Sequence, residues 1–124
     1  MRSDGCCMPL ETNKLLWDMR AAARHVADFA RGRTEENYLA DVMLRSAVER
    51  QFEILGEAMS QLRKRDPATA ARITDATRII GFRNQLIHGY AVIDHSITWR
   101  IVHEHLPTLA RELDALLAEF GTTD

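Results

Sequence analysis

Turn-forming residues are scarce in this chain. Six glycines and three prolines among 124 residues come to about 7%, against roughly 12% in average usage, which excludes a fold of many short strands joined by tight turns. Cysteine is confined to the neighbours Cys6 and Cys7, so a disulfide framework is excluded and a cysteine metal site has no second pair. No apolar run reaches the roughly 18 residues of a membrane span, and the opening MRSDGCCMPL lacks the apolar core of a signal peptide. A cytoplasmic chain without membrane contact is expected. Charge of one sign is missing too: 18 acidic and 16 basic side chains leave a net −2, too little to hold a polyanion by bulk electrostatics. Such a partner would have to meet a local patch. The signatures G-x-x-x-x-G-K, G-x-G-x-x-G, H-E-x-x-H and G-x-S-x-G are also absent.

What is present favours helix, with sixteen Ala and thirteen Leu. A chain of 124 residues fits one domain that buries about two thirds of its extended surface. Leu15, Leu16, Met19, Ala22, Ala23, Val26, Phe29 and Ala30 recur at three and four, the stripe of an amphipathic helix. Thr12 or Asn13 would cap it and Gly32 would stop it. Because this pattern begins only after Pro9, residues 1–10 are expected as a disordered tail, Met8 as the natural start, and 11–121 as a single helical domain. Thr34 is placed to cap a second helix, with Glu35 and Glu36 in its first turn. That helix would run to Arg65, bent near Asp41, with Leu39, Val42, Met43, Ala47, Phe52, Leu55, Met59 and Leu62 on its apolar face.

Asp66-Pro67 marks a turn, followed by a short helical turn over Ala68 to Ile73. Asp75 or Thr77 caps the next helix, which Gly89 stops. Asp94 caps the last, where Trp99, Val102, Leu106, Leu109, Leu113, Leu116 and Phe120 step by three and four in a pattern suited to helix packing. Pro107 must kink or divide it, having no N–H for the preceding turn. The fold expected is an all-α antiparallel bundle of four or five helices.

The chemistry gathers in Arg83-Asn84-Gln85-Leu86-Ile87-His88-Gly89-Tyr90. No carboxylate lies between Asp75 and Asp94, whereas Arg78, Arg83 and His88 do. This is the positive patch that the net charge conceals, with Arg78 and Arg83 as candidates for binding the phosphates of RNA. Cleavage of RNA by internal transfer requires removal of the 2′-OH proton, protonation of the departing 5′ oxygen and stabilisation of charge on phosphorus. Imidazole serves as base or acid near neutral pH, and guanidinium holds phosphate oxygens. Arg83 and His88 are the types required, with Asn84 beside them to orient phosphate or bond locally, and neither metal nor cofactor is needed. Five residues carry an ideal helix about 140° beyond a full turn, so the two side chains would not sit side by side. Either the helix loosens before Gly89 or the groups meet across a twofold axis between two copies. A symmetric dimer would gather two of each around one cleft, one imidazole as base and the other as acid.

R-x4-H-x-Y, present as R-N-Q-L-I-H-G-Y, resembles the signature of the HepT-like toxins, a branch of the HEPN ribonucleases. Similar blocks surround it: Arg50-Gln51-Phe52-Glu53-Ile54-Leu55-Gly56-Glu57-Ala58, then Ile79-Ile80-Gly81-Phe82-Arg83-Asn84, then Thr98-Trp99-Arg100-Ile101-Val102 with His105-Leu106-Pro107. The likeness covers nearly everything from Leu15 to Phe120. It implies a helical, homodimeric, metal-independent endoribonuclease with Arg83 and His88 as catalytic residues. It also implies a partner, an MntA-like nucleotidyltransferase antitoxin that transfers AMP to Tyr90. Bulk and negative charge two residues from His88 would repel RNA phosphates. The chain departs from the family's pattern at Arg100, where an acidic residue often follows the late Trp, and at Ala76-Thr77-Arg78, where a Trp often precedes the Ile-Ile-Gly block.

Other features read as structural. Arg63, Lys64 and Arg65 suit a solvated helix end. Glu53 and Glu57 share one helix face and could pair with Arg50 or orient a catalytic group; ordinary helix salt bridges are the reading taken for both. His25, His95, His103 and His105 lack partners at a metal spacing except His103 with His105, which a two-residue offset splays apart on a helix; all four are taken as structural or solvated, and Trp17 as core or interface. The excess of fourteen Arg over two Lys suits phosphate binding but follows equally from codon preference. Two other functions fit the same chain: a non-catalytic module that partners a small nucleotidyltransferase, and a purely structural bundle.

Overall fold

The computed structural model describes residues 3–89 and 92–120. Seven helices occur among them: α1 (Ser3–Ala30), α2 (Glu35–Ala40), α3 (Val42–Arg65), α4 (Pro67–Ala70), α5 (Ala76–His88), α6 (His95–Glu104) and α7 (Leu106–Phe120). α2 and α4 are single short pieces of six and four residues, so the all-α bundle is carried by the other five. α3 is the central element and packs against α1, α4 and α5; α1 also covers α7, and α6 lies on α2 and α7. α5 is held chiefly through α3.

Local chemistry explains most of the boundaries. The Thr34 hydroxyl accepts from the Asn37 amide at 3.0 Å while the Asn37 side chain accepts from the Thr34 amide at 3.0 Å, a reciprocal cap that satisfies two otherwise orphaned donors. Asp94 caps α6 by accepting from the Ser96 and Ile97 amides. Gly32 and Gly89 take positive φ, 73° and 64°, the left-handed geometry that lets the chain leave a helix. Pro107 is the second residue of α7, where its missing N–H costs nothing, and the break at His105 separates α6 from α7. The apolar stripe crosses that break intact: Trp99, Val102, Leu106, Leu109, Leu113 and Leu116 are all buried.

Two expectations need correction. The helix expected from Thr34 to Arg65 is broken at Asp41, not bent. Asp41 ends α2 in extended backbone and caps α3 through the Leu44 amide, which holds its carboxyl below the ordinary value. The break changes the helical phase, so Leu39, Val42 and Met43 are 41%, 64% and 81% exposed while Tyr38, Leu44 and Val48 enter the core. Tyr38 packs on the Trp99 ring at 5.1 Å, and burial pushes its phenol pKa up. α1 also starts ahead of Pro9 and not after it. Periodicity reports only the stripe that meets a partner, and burial on α1 begins at Thr12. Trp17 is 55% exposed, on the surface.

Asp66 ties three helices together. It ends α3, caps α4 through the Thr69 amide at 3.1 Å, and accepts from the Thr69 and Thr12 hydroxyls at 2.7 and 2.8 Å. Burial raises its pKa most, but the three hydrogen bonds together outweigh it and hold the carboxyl below its ordinary value. A depressed folded-state pKa stabilises the fold above the ordinary aspartate range and ceases to as pH falls through the depressed value. Asp66→Ala is expected to lower stability by about 2 kcal/mol at neutral pH, the cost of a lost cap plus an unpaired buried hydroxyl. Urea midpoints of parent and variant should converge on acidification; a gap that widens would contradict this.

Candidate active site

Helix α5 presents the R-N-Q-L-I-H run without interruption up to Gly89, whose amide closes the last turn on the Gln85 carbonyl at 3.1 Å. The helix does not loosen before Gly89. Arg83 and His88 therefore point about 140° apart around one axis.

Arg83 faces α3 and is half-buried. The two helices approach closely at Gly56. A Cβ built there would lie 2.2 Å from Arg83 Cβ, 2.8 Å from its Cγ and 3.2 Å from the Ile79 carbonyl oxygen. Only glycine leaves room for the root of the Arg83 side chain. One residue on, Glu57 is thereby placed to receive the guanidinium, whose Nη2 forms an ion pair with Glu57 Oε1. The other Glu57 oxygen accepts from Gln61 Nε2 at 3.0 Å, which fixes the carboxylate from behind. Arg83 Nη1 donates to Asn84 Oδ1 at 2.8 Å. Glu57 thus joins α3 to α5 while also bonding along its own helix, whereas Glu53 pairs with Arg50, at 3.2 Å.

His88 is the last residue of α5 and is exposed. Asn84 is half-buried beside Arg83. Tyr90 lies outside the described residues. Arg78 occupies the opposite end of α5 from His88, and its Nη1 lies 3.0 Å from His105 Nε2. His105 Nδ1 in turn lies 3.3 Å from Asp75 Oδ2, and Asp75 also sits 4.0 Å from Arg78. The structure gives His105 the role of fastening the α6–α7 junction to the start of α5. Nothing in the sequence signals that, since its partner stands thirty positions away.

The arrangement offers a guanidinium held at a fixed place by a carboxylate, with an accessible imidazole on the same rigid helix. Two of the five guanidinium N–H donors serve Glu57 and Asn84, and the rest are of the kind that meets phosphate oxygens.

Known proteins resemble this chain along most of its length. A family model described as "Ribonuclease HepT-like" matches residues 19–116. A Methanocaldococcus jannaschii protein named "Putative RNase MJ1380" is 30% identical over 84% of this chain and 94% of its own. "Probable ribonuclease HepT" of Thermococcus cleftensis is 29% identical over 82% of this chain and 91% of its own. A second M. jannaschii protein, "Putative RNase MJ0127", is 25% identical over 92% and 93% of the two chains. No solved structure gives a significant match.

Proposed function

Since the chain belongs to the HepT-like ribonuclease family, we propose that it is an endoribonuclease that cleaves RNA through Arg83 and His88 without a metal ion. The observation that carries this reading is the family's R-x4-H motif on an unbroken α5, with its arginine gripped by Glu57. An imidazole takes the proton from the 2′-OH as that oxygen attacks phosphorus. The P–O5′ bond breaks, and a second imidazole returns a proton to the 5′ oxygen. The products are a 2′,3′-cyclic phosphate and a 5′-hydroxyl. Arg83 neutralises charge that grows on the phosphoryl oxygens. Glu57 is a positioning residue: it orients the guanidinium and touches no substrate.

One chain supplies one His88, and its Arg83 points elsewhere. A homodimer resolves both facts by placing two copies of each residue around a shared cleft, so that one imidazole is base and the other acid. A purified mixed dimer of one parental and one His88→Ala chain holds a single imidazole in the cleft and is expected to cut far below half the parental rate. Such a dimer cutting at half the parental rate or more would refute the shared cleft.

The reading extends to a toxin–antitoxin pair. A nucleotidyltransferase of the MntA type would attach AMP to Tyr90, two residues from His88, and the added negative charge would keep RNA phosphates away. Supporting this is the tyrosine of the R-N-Q-L-I-H-G-Y motif.

A further inference from the structure

Beside the motif, a trench of about 520 Å³ runs between α5 and α6. Its α5 wall carries Arg78, Phe82 and Gln85, and its α6 wall carries Ile97, Arg100 and Ile101. On α5 these residues stack at intervals of four and three. His88 stands ten residues beyond Arg78, about 15 Å further along the axis and about 80° round the helix from it. Arg83 lies on the other side of α5, against Glu57.

Charge and surface in the trench are of two kinds. The Arg78 side chain is 58% exposed and Arg100 is exposed. Two carboxylates at the trench are engaged: Asp75 is 14% exposed and faces His105, and Asp94 accepts from two amides of its own helix; exposed Glu104 stands one turn beyond Arg100 on α6. The rest of the lining joins the polar Gln85, Thr98 and His105 to an apolar surface. Phe82 is half-buried and held edge-on by Phe52, ring centres 5.2 Å apart, with Ile101 half-buried near it. Guanidiniums above a fixed aromatic and aliphatic surface are the combination that holds single-stranded nucleic acid, phosphate on cation and base on apolar face.

Building on the ribonuclease reading, we propose that the α5–α6 trench seats nucleotides flanking the scissile phosphodiester, with single-stranded RNA phosphates on Arg78 and Arg100 and a base against Phe82 and Ile101. It is a binding site separate from the reacting groups, and it sets which RNA is held long enough to be cut.

The test is the affinity of a labelled single-stranded RNA oligonucleotide for the full chain in the His88→Ala background, where it is not consumed, with and without Arg78→Ala/Arg100→Ala. The double variant is expected to bind at least tenfold more weakly and to show a salt dependence flatter by about 1.4 in log–log slope, two contacts fewer. Removing two exposed arginines elsewhere, Arg24→Ala/Arg111→Ala, should change affinity less than twofold. Arg100→Ala alone serves as the second variant, because it leaves the Arg78–His105–Asp75 contacts in place. Equal affinity and slope with and without the trench arginines, in a protein whose parent cuts RNA, would overturn the trench alone. Failure of the parent to bind or cut RNA would overturn the ribonuclease reading and the trench with it. Displacement of the oligonucleotide by AMP at low concentration would make the trench a mononucleotide pocket and overturn its assignment to an RNA strand.

Discussion

Arg83→Ala is expected to slow RNA cleavage by about 10²–10³-fold, the usual loss when one donor to a developing oxyanion is removed. The effect should fall on kcat more than on KM, because the guanidinium meets charge that appears only in the transition state. Arg83→Lys should rescue little. Its ammonium keeps the charge but not the fork that spans Glu57, Asn84 and a phosphate together. Stability should change little in either case, since the Arg83 side chain is 24% exposed and its partner Glu57 is 48% exposed, and ion pairs this open contribute little. Single-turnover cleavage of a labelled oligonucleotide by folded variants checks the claim. An Arg83→Ala protein that cuts at the parental rate would remove the arginine from the mechanism.

Gly56→Ala should impair fold and activity together. On helix propensity alone the change would add about 1 kcal/mol of stability. The added Cβ would instead meet the root of Arg83 at 2.2 Å, and a side-chain root cannot swing aside as a tip can. α5 must move away from α3, and overpacking of that kind costs about 1–3 kcal/mol. The sign is set by the clash. Because α5 is held chiefly by α3, the shift carries Arg83 and His88 with it, and a displacement near 1 Å costs about 10²-fold in rate. Gly81→Ala is the matched control for stability, since a Cβ there meets nothing within 4 Å. Melting temperature and cleavage rate of the two variants separate the outcomes; a Gly56→Ala protein at least as stable as the parent would contradict the close approach.

Much of the fold was legible because the signals for it are local. Thr34, Asp94 and Gly89 act on backbone groups within four residues of themselves, and the stripe from Trp99 to Leu116 repeats on one helix surface. Pro107 announced the division between α6 and α7 for the same reason. The phase change at Asp41 was not legible: a bend and a break leave the same residues in sequence, and only the break turns Leu39, Val42 and Met43 outward. At the site, the motif identified α5 and the residue types, but not what holds them. Glu57 and Arg83 stand 26 positions apart, and no spacing rule reaches that far. A signal for the approach did exist in Gly56, a residue that weakens a long helix by about 1 kcal/mol relative to Ala and so calls for a packing reason.

The central claim is that this protein cuts RNA with His88 and without metal. It is tested most directly by incubating a labelled single-stranded RNA in EDTA with the unmodified protein and with His88→Ala, both confirmed by mass to carry no AMP. The account predicts 2′,3′-cyclic phosphate ends from the parent and a fall of about 10²–10⁴-fold in the variant. Equal cleavage by the two would remove His88 from the chemistry, and no cleavage by a folded, unmodified dimer would leave a helical module that partners a nucleotidyltransferase.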